Sequence, residues 1–298
     1  MSLTVIILTL NEEQHIERAI RSVSSVADRL LVVDSGSTDK TISIARSLGA
    51  EVLSHPFVTQ AKQFNWALTQ LPSDTDWVFR LDADEVVSPA LAKSLATLLP
   101  QLDSQVAGVL VARRMTFLGQ PIRYGGLFPV QVLRVFRFGR GHSEDRWMDE
   151  HIFVDGAVVK LHGEVTDDNL NTLTWWTDKH NKYASREAVE ILNREFRFIQ
   201  RKSNESMKGG LQSSFKRWIK EQIYSRLPAG FRAFAYFIYR YIIRFGFLDG
   251  KVGTAFHFLQ GLWYRYLVDA KVAEVRRYML DRNVSVTVAI ERVLGIKV

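Results

Sequence analysis

Three apolar runs in the first hundred residues, each closed by a polar cluster, constrain this chain more than any other feature. Val5-Ile6-Ile7-Leu8-Thr9-Leu10 and Leu30-Leu31-Val32-Val33 are continuous rather than alternating, as strands covered on both faces of a parallel sheet must be. Trp77-Val78-Phe79-Arg80-Leu81 is the third run. Between them lie segments of helical period: Ile16, Ala19, Ile20 and Val23, then Ile42, Ile44, Ala45 and Leu48 ahead of a Gly49 stop. Asn11-Glu12-Glu13 is expected to open the first helix, with its acids in the first turn. Glu51-Val52-Leu53 reads as a further short strand. Strand–helix alternation with short loops predicts an α/β class and a mainly parallel sheet flanked by helices.

Parallel strands bring their carboxyl ends to one edge, where open α/β sheets bind ligands. Thr9-Leu10-Asn11-Glu12, Asp34-Ser35-Gly36-Ser37 and Asp82-Ala83-Asp84 are therefore expected to converge. Asp82 and Asp84 share a face wherever the chain stays extended. Two carboxylates at a strand end suit a hard divalent ion that keeps positions open for phosphate oxygens. The plainer alternative is an acidic turn ahead of a helix started by Ser88-Pro89. Asp34 can hydrogen-bond a ribose or a base edge; its alternative is helix capping, which Ser37 or Thr38 would serve equally well. Neither a P-loop nor a G-x-G-x-x-G pattern is present, so a Walker site or a dinucleotide fingerprint is unsupported.

At 298 residues one to two domains are expected. The absence of cysteine excludes disulfides and thiolate metal sites. The start, Met1-Ser2-Leu3-Thr4-Val5, lacks a basic n-region, so no signal peptide is expected. Charge is uneven: −4 over residues 1–100, 0 over 101–200 and +11 over 201–298. A basic part of this kind calls for an anionic partner. There the cations sit among aromatics, in Phe215-Lys216-Arg217-Trp218-Ile219-Lys220, Phe231 to Phe245, and Gly261 to Lys271. Arg232, Arg240 and Arg244 make a bilayer-spanning helix costly. An interfacial helix on anionic lipid fits better, and no nucleic-acid motif accompanies the charge, so no nucleic-acid partner is expected.

Thr9-x-Asn11-Glu12, Asp34-Ser35-Gly36-Ser37-Thr38-Asp39-x-Thr41 and Asp82-Ala83-Asp84, in this order and at these intervals, resemble the nucleotide-sugar half of family 2 glycosyltransferases. The resemblance spans about residues 3–165. It implies a GT-A (Rossmann-like) fold, a nucleoside-diphosphate sugar donor, UDP-linked by preference, and Mg²⁺ or Mn²⁺. By it Thr9, Asn11, Glu12 and Asp34 would hold the nucleotide, Asp82 would lie by the sugar or ribose, and Asp84 would ligate the metal. Lys62 could contact the phosphates; a solvated helix charge is its alternative.

Inverting transfer needs a carboxylate to take the acceptor hydroxyl proton. The family's acidic motif in the second half of the domain corresponds here to Asp149-Glu150-His151, with Glu150 favoured as base and Asp149 close behind. His162, ending the strand Val158 to Leu161, would complete the metal site as in many GT-A enzymes, with Asp168 the weaker alternative. Asp167-Asp168-Asn169 reads as a helix start, and Leu173 to Tyr183 as an amphipathic helix with its tryptophans in the core.

The expected organisation is a catalytic domain over 1–200 and a basic, aromatic-rich helical extension over 201–298 that associates with membrane. Such an extension resembles enzymes of bacterial envelope polysaccharide assembly, with a lipid-linked saccharide or lipopolysaccharide-type acceptor. The protein would then be cytoplasmic, peripheral on the inner face of the plasma membrane. The alternative is a catalytically silent assembly scaffold that keeps only the sugar-nucleotide fold.

Overall fold

A computed structural model describes residues 1–144, 151–199 and 230–298. These form two compact units, Met1–Asn171 and Thr172–Val298, so the division falls ahead of the long helix that starts at Leu173 rather than at residue 200. The stretches 200–229, with Phe215 to Lys220, and 145–150 lie outside the described residues.

In unit 1 the apolar runs become β1 (Leu3–Thr9), β2 (Arg29–Asp34) and β4 (Trp77–Asp82), with β3 (Glu51–Ser54) at the edge. All four are parallel, in the order β3-β2-β1-β4. Beyond β4 the sheet turns mixed. It continues through β8 (Val130–Arg137), β6 (Val106–Phe117), β11 (Ala157–Asp168) and β5 (Glu85–Val87), with β7 (Gln120–Ile122) paired to β6. β8 runs antiparallel to both β4 and β6. The class is α/β as expected; the parallel half holds the three polar strand ends, and a mixed half, in which β11 runs parallel to β6 and the other pairs are antiparallel, carries the remainder. A separate ribbon pairs β9 (Gly141–Ser143) with β10 (Ile152–Val154).

The continuous apolar runs are explained by cover on both faces. Val5, Ile7, Phe79 and Leu81 pack under α1 (Ile16–Val23) and α4 (Pro89–Leu98). Ile6, Leu31, Val33, Val78 and Phe136 pack on the other side against Phe64 and Ala67 of α3 (Gln60–Thr69). α2 (Thr41–Ser47) lies beside α1, with Ala45 in the first of these cores. Ser88 caps α4 by accepting the Leu91 N–H at 3.2 Å, with Pro89 in the first turn, as the sequence suggests.

Two local expectations give way. α1 begins at Ile16, not at Asn11, because the intervening residues bond sideways to the neighbouring loop. Asp167 and Asp168 end strand β11 rather than starting a helix; the next helix, α5 (Leu173–Phe196), is capped by Thr172.

β11 is interrupted between Lys160 and Glu164 by a register shift against β6. Gly163 there has φ +103°, and a Cβ on it would lie 2.2 Å from the Leu91 backbone nitrogen. Strain and collision coincide at this position. Gly163→Ala is expected to cost about 2 kcal/mol or more in urea unfolding, whereas Ala substitution of a freely placed surface residue would not.

Unit 2 is helical. α5 presents Ala184, Ala188, Val189 and Leu192 to Val268, Val272 and Val275 of α8 (Tyr264–Arg282). α9 (Val286–Leu294) closes that core with Ala289 and Ile290. The α5 tryptophans stay half-buried instead of entering the core: Trp176 stacks on His180 at 3.5 Å and Trp175 lies under the Lys179 ammonium. A helical hairpin precedes α8. Its first limb is α6 (Phe231–Ile238) with a wide turn at Tyr239–Ile243; its second is α7 (Gly250–Phe256) with a wide turn at His257–Trp263. Arg232 forms a two-point ion pair with buried Asp269, anchoring the first limb to α8. No helix among the described residues is long and apolar enough to cross a membrane.

His257 is fully buried between the limbs, 3.7 Å from Asp249. Burial, then the Arg240 cation, lowers its pKa from 6.5 to about 4, against the pull of Asp249. A lowered histidine pKa means that the folded form disfavours the proton, so its stabilising share is complete above the unfolded value and is lost as pH falls. Amide protection factors across residues 250–263, corrected for the intrinsic exchange rate, are expected to fall between pH 6.5 and 4, and His257→Gln is expected to flatten that response.

Candidate active site

The register of the parallel strands decides what meets at the carboxyl edge. Leu8 lies opposite Asp82 and Thr9 opposite Asp34, so the three polar clusters converge as expected. Each then acquires a distinct local role.

Asp34 is buried, and its carboxylate is occupied by its own neighbourhood. Oδ2 accepts the Gly36 and Ser37 N–H groups at 2.8 Å each, and Oδ1 accepts the hydroxyls of Ser37 and of Thr9, the latter at 3.2 Å. It shapes the Ser35–Ser37 loop. Asn11, in the left-handed region at φ +56°, accepts the Thr38 N–H at 2.8 Å, while its own N–H goes to Ser37 Oγ. The Glu12 N–H goes to Thr41 Oγ1 at 2.8 Å. The loops after β1 and β2 are thus sewn together crosswise.

The Glu12 carboxylate takes a partner that sequence reasoning missed. His15, almost fully buried, has Nδ1 2.6 Å from Glu12 Oε2, and its Nε2 accepts the Leu170 N–H at 2.9 Å. An Nε2 that accepts leaves the ring proton on Nδ1, so the neutral imidazole donates to Glu12. With Arg18 bound to Asp168 at 2.6 Å, this ties the chain leaving β11 to the loop after β1.

Asp82 and Asp84 do not act as one extended pair. The strand ends at Asp82 and turns through Ala83-Asp84 into β5. Asp82 receives Arg134 at 2.8 Å and lies 3.7 Å from Arg80. Asp84 instead accepts the Asn169 side-chain amide at 2.9 Å, and its carbonyl accepts the Asp168 N–H.

Below them sits a buried charge cluster. Arg134 bridges Asp82 and Glu85; Arg80 lies over the Phe64 ring. Burial raises the Asp82 carboxyl, but Arg134 and then Arg80 outweigh it and bring the pKa down to about 2. Glu85 is pushed up to about 8 by burial, with Asp82 and Asp167 adding to it against Arg134. Asp167 is pushed up to about 7, first by burial and then by Asp84. The signal for this cluster was visible in Arg80 and Arg134, single cations inside apolar strands, which must find carboxylates when buried.

This edge fits a hard divalent ion. Its donors are carboxylate oxygens, the ligand type such an ion takes, and burial followed by the Asp84 charge raises the neighbouring Asp167. Among the described residues no three His, Asp or Glu side chains form a ligand set. A cation here would therefore use one or two carboxylates and take its other ligands from phosphate and water, the arrangement that suits Mg²⁺.

His162 does not join it. β11 runs on to Asp168, so His162 sits exposed in the mid-strand irregularity rather than at a strand end. Asp84, whose carbonyl accepts the Asp168 N–H, lies at the strand's far end, on the order of 20 Å along the strand at ~3.3 Å per residue. Lys62 is exposed in the first turn of α3. Its neighbour Gln63, also missed from sequence, is buried and donates to Ser35 Oγ at 2.6 Å, which seats that turn against the Asp34 loop. Two residues on, Asn65 pairs with the Ser143 backbone in both directions, at 2.8 and 2.9 Å. Glu150 and Asp149 lie outside the described residues. They belong to the segment between Glu144 and His151, whose backbones are joined at 2.9 Å.

Removing Arg134 would strand two carboxyls. Arg134→Met is expected to cost about 3 kcal/mol or more in urea unfolding at neutral pH. Adding Asp82→Asn to that variant is expected to recover part of the loss, because the carboxylate that Arg134 holds ionised is then replaced by a neutral amide.

A family model described as Glycosyl transferase family 2 matches residues 4–155. A glycosyltransferase of Rickettsia bellii is 46% identical over 89 residues, 30% of each chain. The chain thus spans under a third of that relative's length. The lipopolysaccharide core biosynthesis glycosyltransferase LpsC of Rhizobium meliloti is 32% identical over 164 residues, 53% of this chain and 59% of that one. Among solved structures, glucosyl-3-phosphoglycerate synthase from Mycobacterium tuberculosis, in complex with Mn²⁺, UDP and glucosyl-3-phosphoglycerate, is 27% identical. It covers 39% of this chain and 44% of that one, at a TM-score of 0.31.

Proposed function

The chain belongs to glycosyl transferase family 2, and from that membership we propose that it is an inverting sugar transferase. The donor is a nucleoside-diphosphate sugar, UDP-linked by preference. The acceptor is a lipid-linked saccharide or a lipopolysaccharide-type glycan of bacterial envelope assembly. The observation that carries the donor half is the convergence of Thr9, Asn11, Asp34, Asp82 and Asp84 at one sheet edge. The relative named for lipopolysaccharide core biosynthesis supports the acceptor half.

In this reading the cross-sewn loops after β1 and β2 form the nucleotide cradle, with Asp34 and Glu12 setting its shape. Asp82, kept ionised by Arg134 and Arg80, faces the sugar or ribose. Lys62, on the turn seated by Gln63, lies within reach of the phosphates. Asp84, with Asp82 beside it, would hold Mg²⁺ or Mn²⁺, which supplies positive charge to a departing diphosphate. Glu150 or Asp149 takes the acceptor hydroxyl proton as the new glycosidic bond forms and the anomeric bond to the diphosphate breaks. Work on a lipid-borne acceptor places the protein at the inner face of the plasma membrane.

The test is calorimetric titration of UDP-, GDP- and dTDP-sugars with and without Mn²⁺, together with donor hydrolysis. Metal-dependent binding of one nucleotide class is expected, weakened by about tenfold or more in Asp84→Ala with the far-UV spectrum unchanged. Absence of both binding and hydrolysis with metal present would refute transfer and leave the scaffold.

A further inference from the structure

The helical hairpin of unit 2 carries an apolar surface that its own core does not use. Phe234, Ile242, Ile243, Phe245, Phe247 and Leu248 keep between 43% and 60% of their surface exposed. Five of the six fall within residues 242–248, where the first limb turns into the second. This exposure belongs to an ordered element. Tyr241 Oη lies 2.9 Å from Thr254 Oγ1, Arg240 donates to Gln260 at 2.8 Å, and Phe237 meets Phe258 edge to face, so the limbs are bound to each other along their length. Soluble surfaces rarely group large apolar side chains in this way without a partner.

Charge selects the partner. Residues 231–268 contain five basic residues and a single acid, Asp249. The Asp249 side chain is only 3% exposed, turned towards His257, whereas Arg244 and Lys251, which flank the apolar turn, are exposed. A second copy docking on this turn would set like charges against each other with no acid to pair them. An anionic lipid surface offers acyl chains to the phenylalanines and phosphates to the two cations.

We propose that residues 242–248 form a membrane-inserting tip, with Ile242, Ile243, Phe245, Phe247 and Leu248 entering the acyl boundary of an anionic bilayer and Arg244 and Lys251 binding headgroup phosphates. The inference sharpens the membrane part of the proposed function and is independent of its chemistry. It also replaces the expectation of a helix lying flat by a hairpin that enters turn first.

The chain has no cysteine, so single labels report single places. Phe245→Cys carrying an environment-sensitive fluorophore should shift to the blue on adding vesicles of phosphatidylglycerol and phosphatidylcholine. Leu280→Cys, exposed and roughly 40 Å further along the same helical run at ~1.5 Å per residue, should not. Phe245→Ser/Phe247→Ser in the full chain should lower vesicle partition by about tenfold or more. Arg244→Glu/Lys251→Glu should remove the preference for phosphatidylglycerol over pure phosphatidylcholine. Thermal melting and donor hydrolysis, read on the same samples, should stay at the parent level, which separates failure of the tip from failure of the transferase reading. Equal shifts at both labels, no shift at Phe245→Cys, or unchanged partition of the serine variant would each overturn the proposal. A serine variant that changes only the sedimenting mass would assign the turn to a second copy instead.

Discussion

Everything at the carboxyl edge depends on β1 lying in parallel register between β2 and β4. Because Thr9 is opposite Asp34 and Leu8 opposite Asp82, residues 25 and 74 positions apart in the chain become neighbours. The register is held by burial: both faces of β1 are covered, so a slip of one residue would turn each apolar side chain to the wrong helix layer. The edge is therefore as firmly placed as the core.

Upon that frame the charges are arranged asymmetrically. Asp82 is held ionised by two guanidinium groups, while Glu85 and Asp167 are driven towards their neutral forms. One arginine between a buried carboxyl, Glu85, and a partly exposed one, Asp82, cannot satisfy both equally, and the partly exposed member keeps the charge. The result is a carboxylate of fixed charge and fixed direction, near one, Asp84, that accepts the Asn169 side-chain amide. Rigid charge beside an adaptable oxygen donor is a suitable arrangement for a diphosphate that arrives with its counter-ion.

The parallel half of the fold was legible because continuous apolar runs and helix-period segments leave few alternatives. The polar strand ends were legible for the same reason, since their position follows from the runs they close. In the mixed half the apolar segments of β6, β8 and β11 also read as strands, but their pairing and length did not: irregular stretches join them, and β11 continues past a register shift to Asp168, so His162 is not at a strand end. The turn at Ala83-Asp84 was hidden because alternation holds only while a strand continues. His15 and Gln63 look like surface residues of a helix in the sequence; only the contact of distant loops makes them interior. Arg80 and Arg134 could have been found, since an apolar strand with one cation demands an acid nearby. The hairpin's composition pointed to lipid, but its fold back on itself, which concentrates the apolar side chains at a turn, is a tertiary fact.

The ribbon of β9 and β10 has a consequence for how such a protein diversifies. Its two strands are paired from Gly141 to Ser143 and from Ile152 to Val154, Glu144 is bonded to His151, and Asn65 grips Ser143 on both sides. Glu144 and His151 are therefore two fixed feet. Sequence between fixed feet can change without disturbing the register of the strands that carry them.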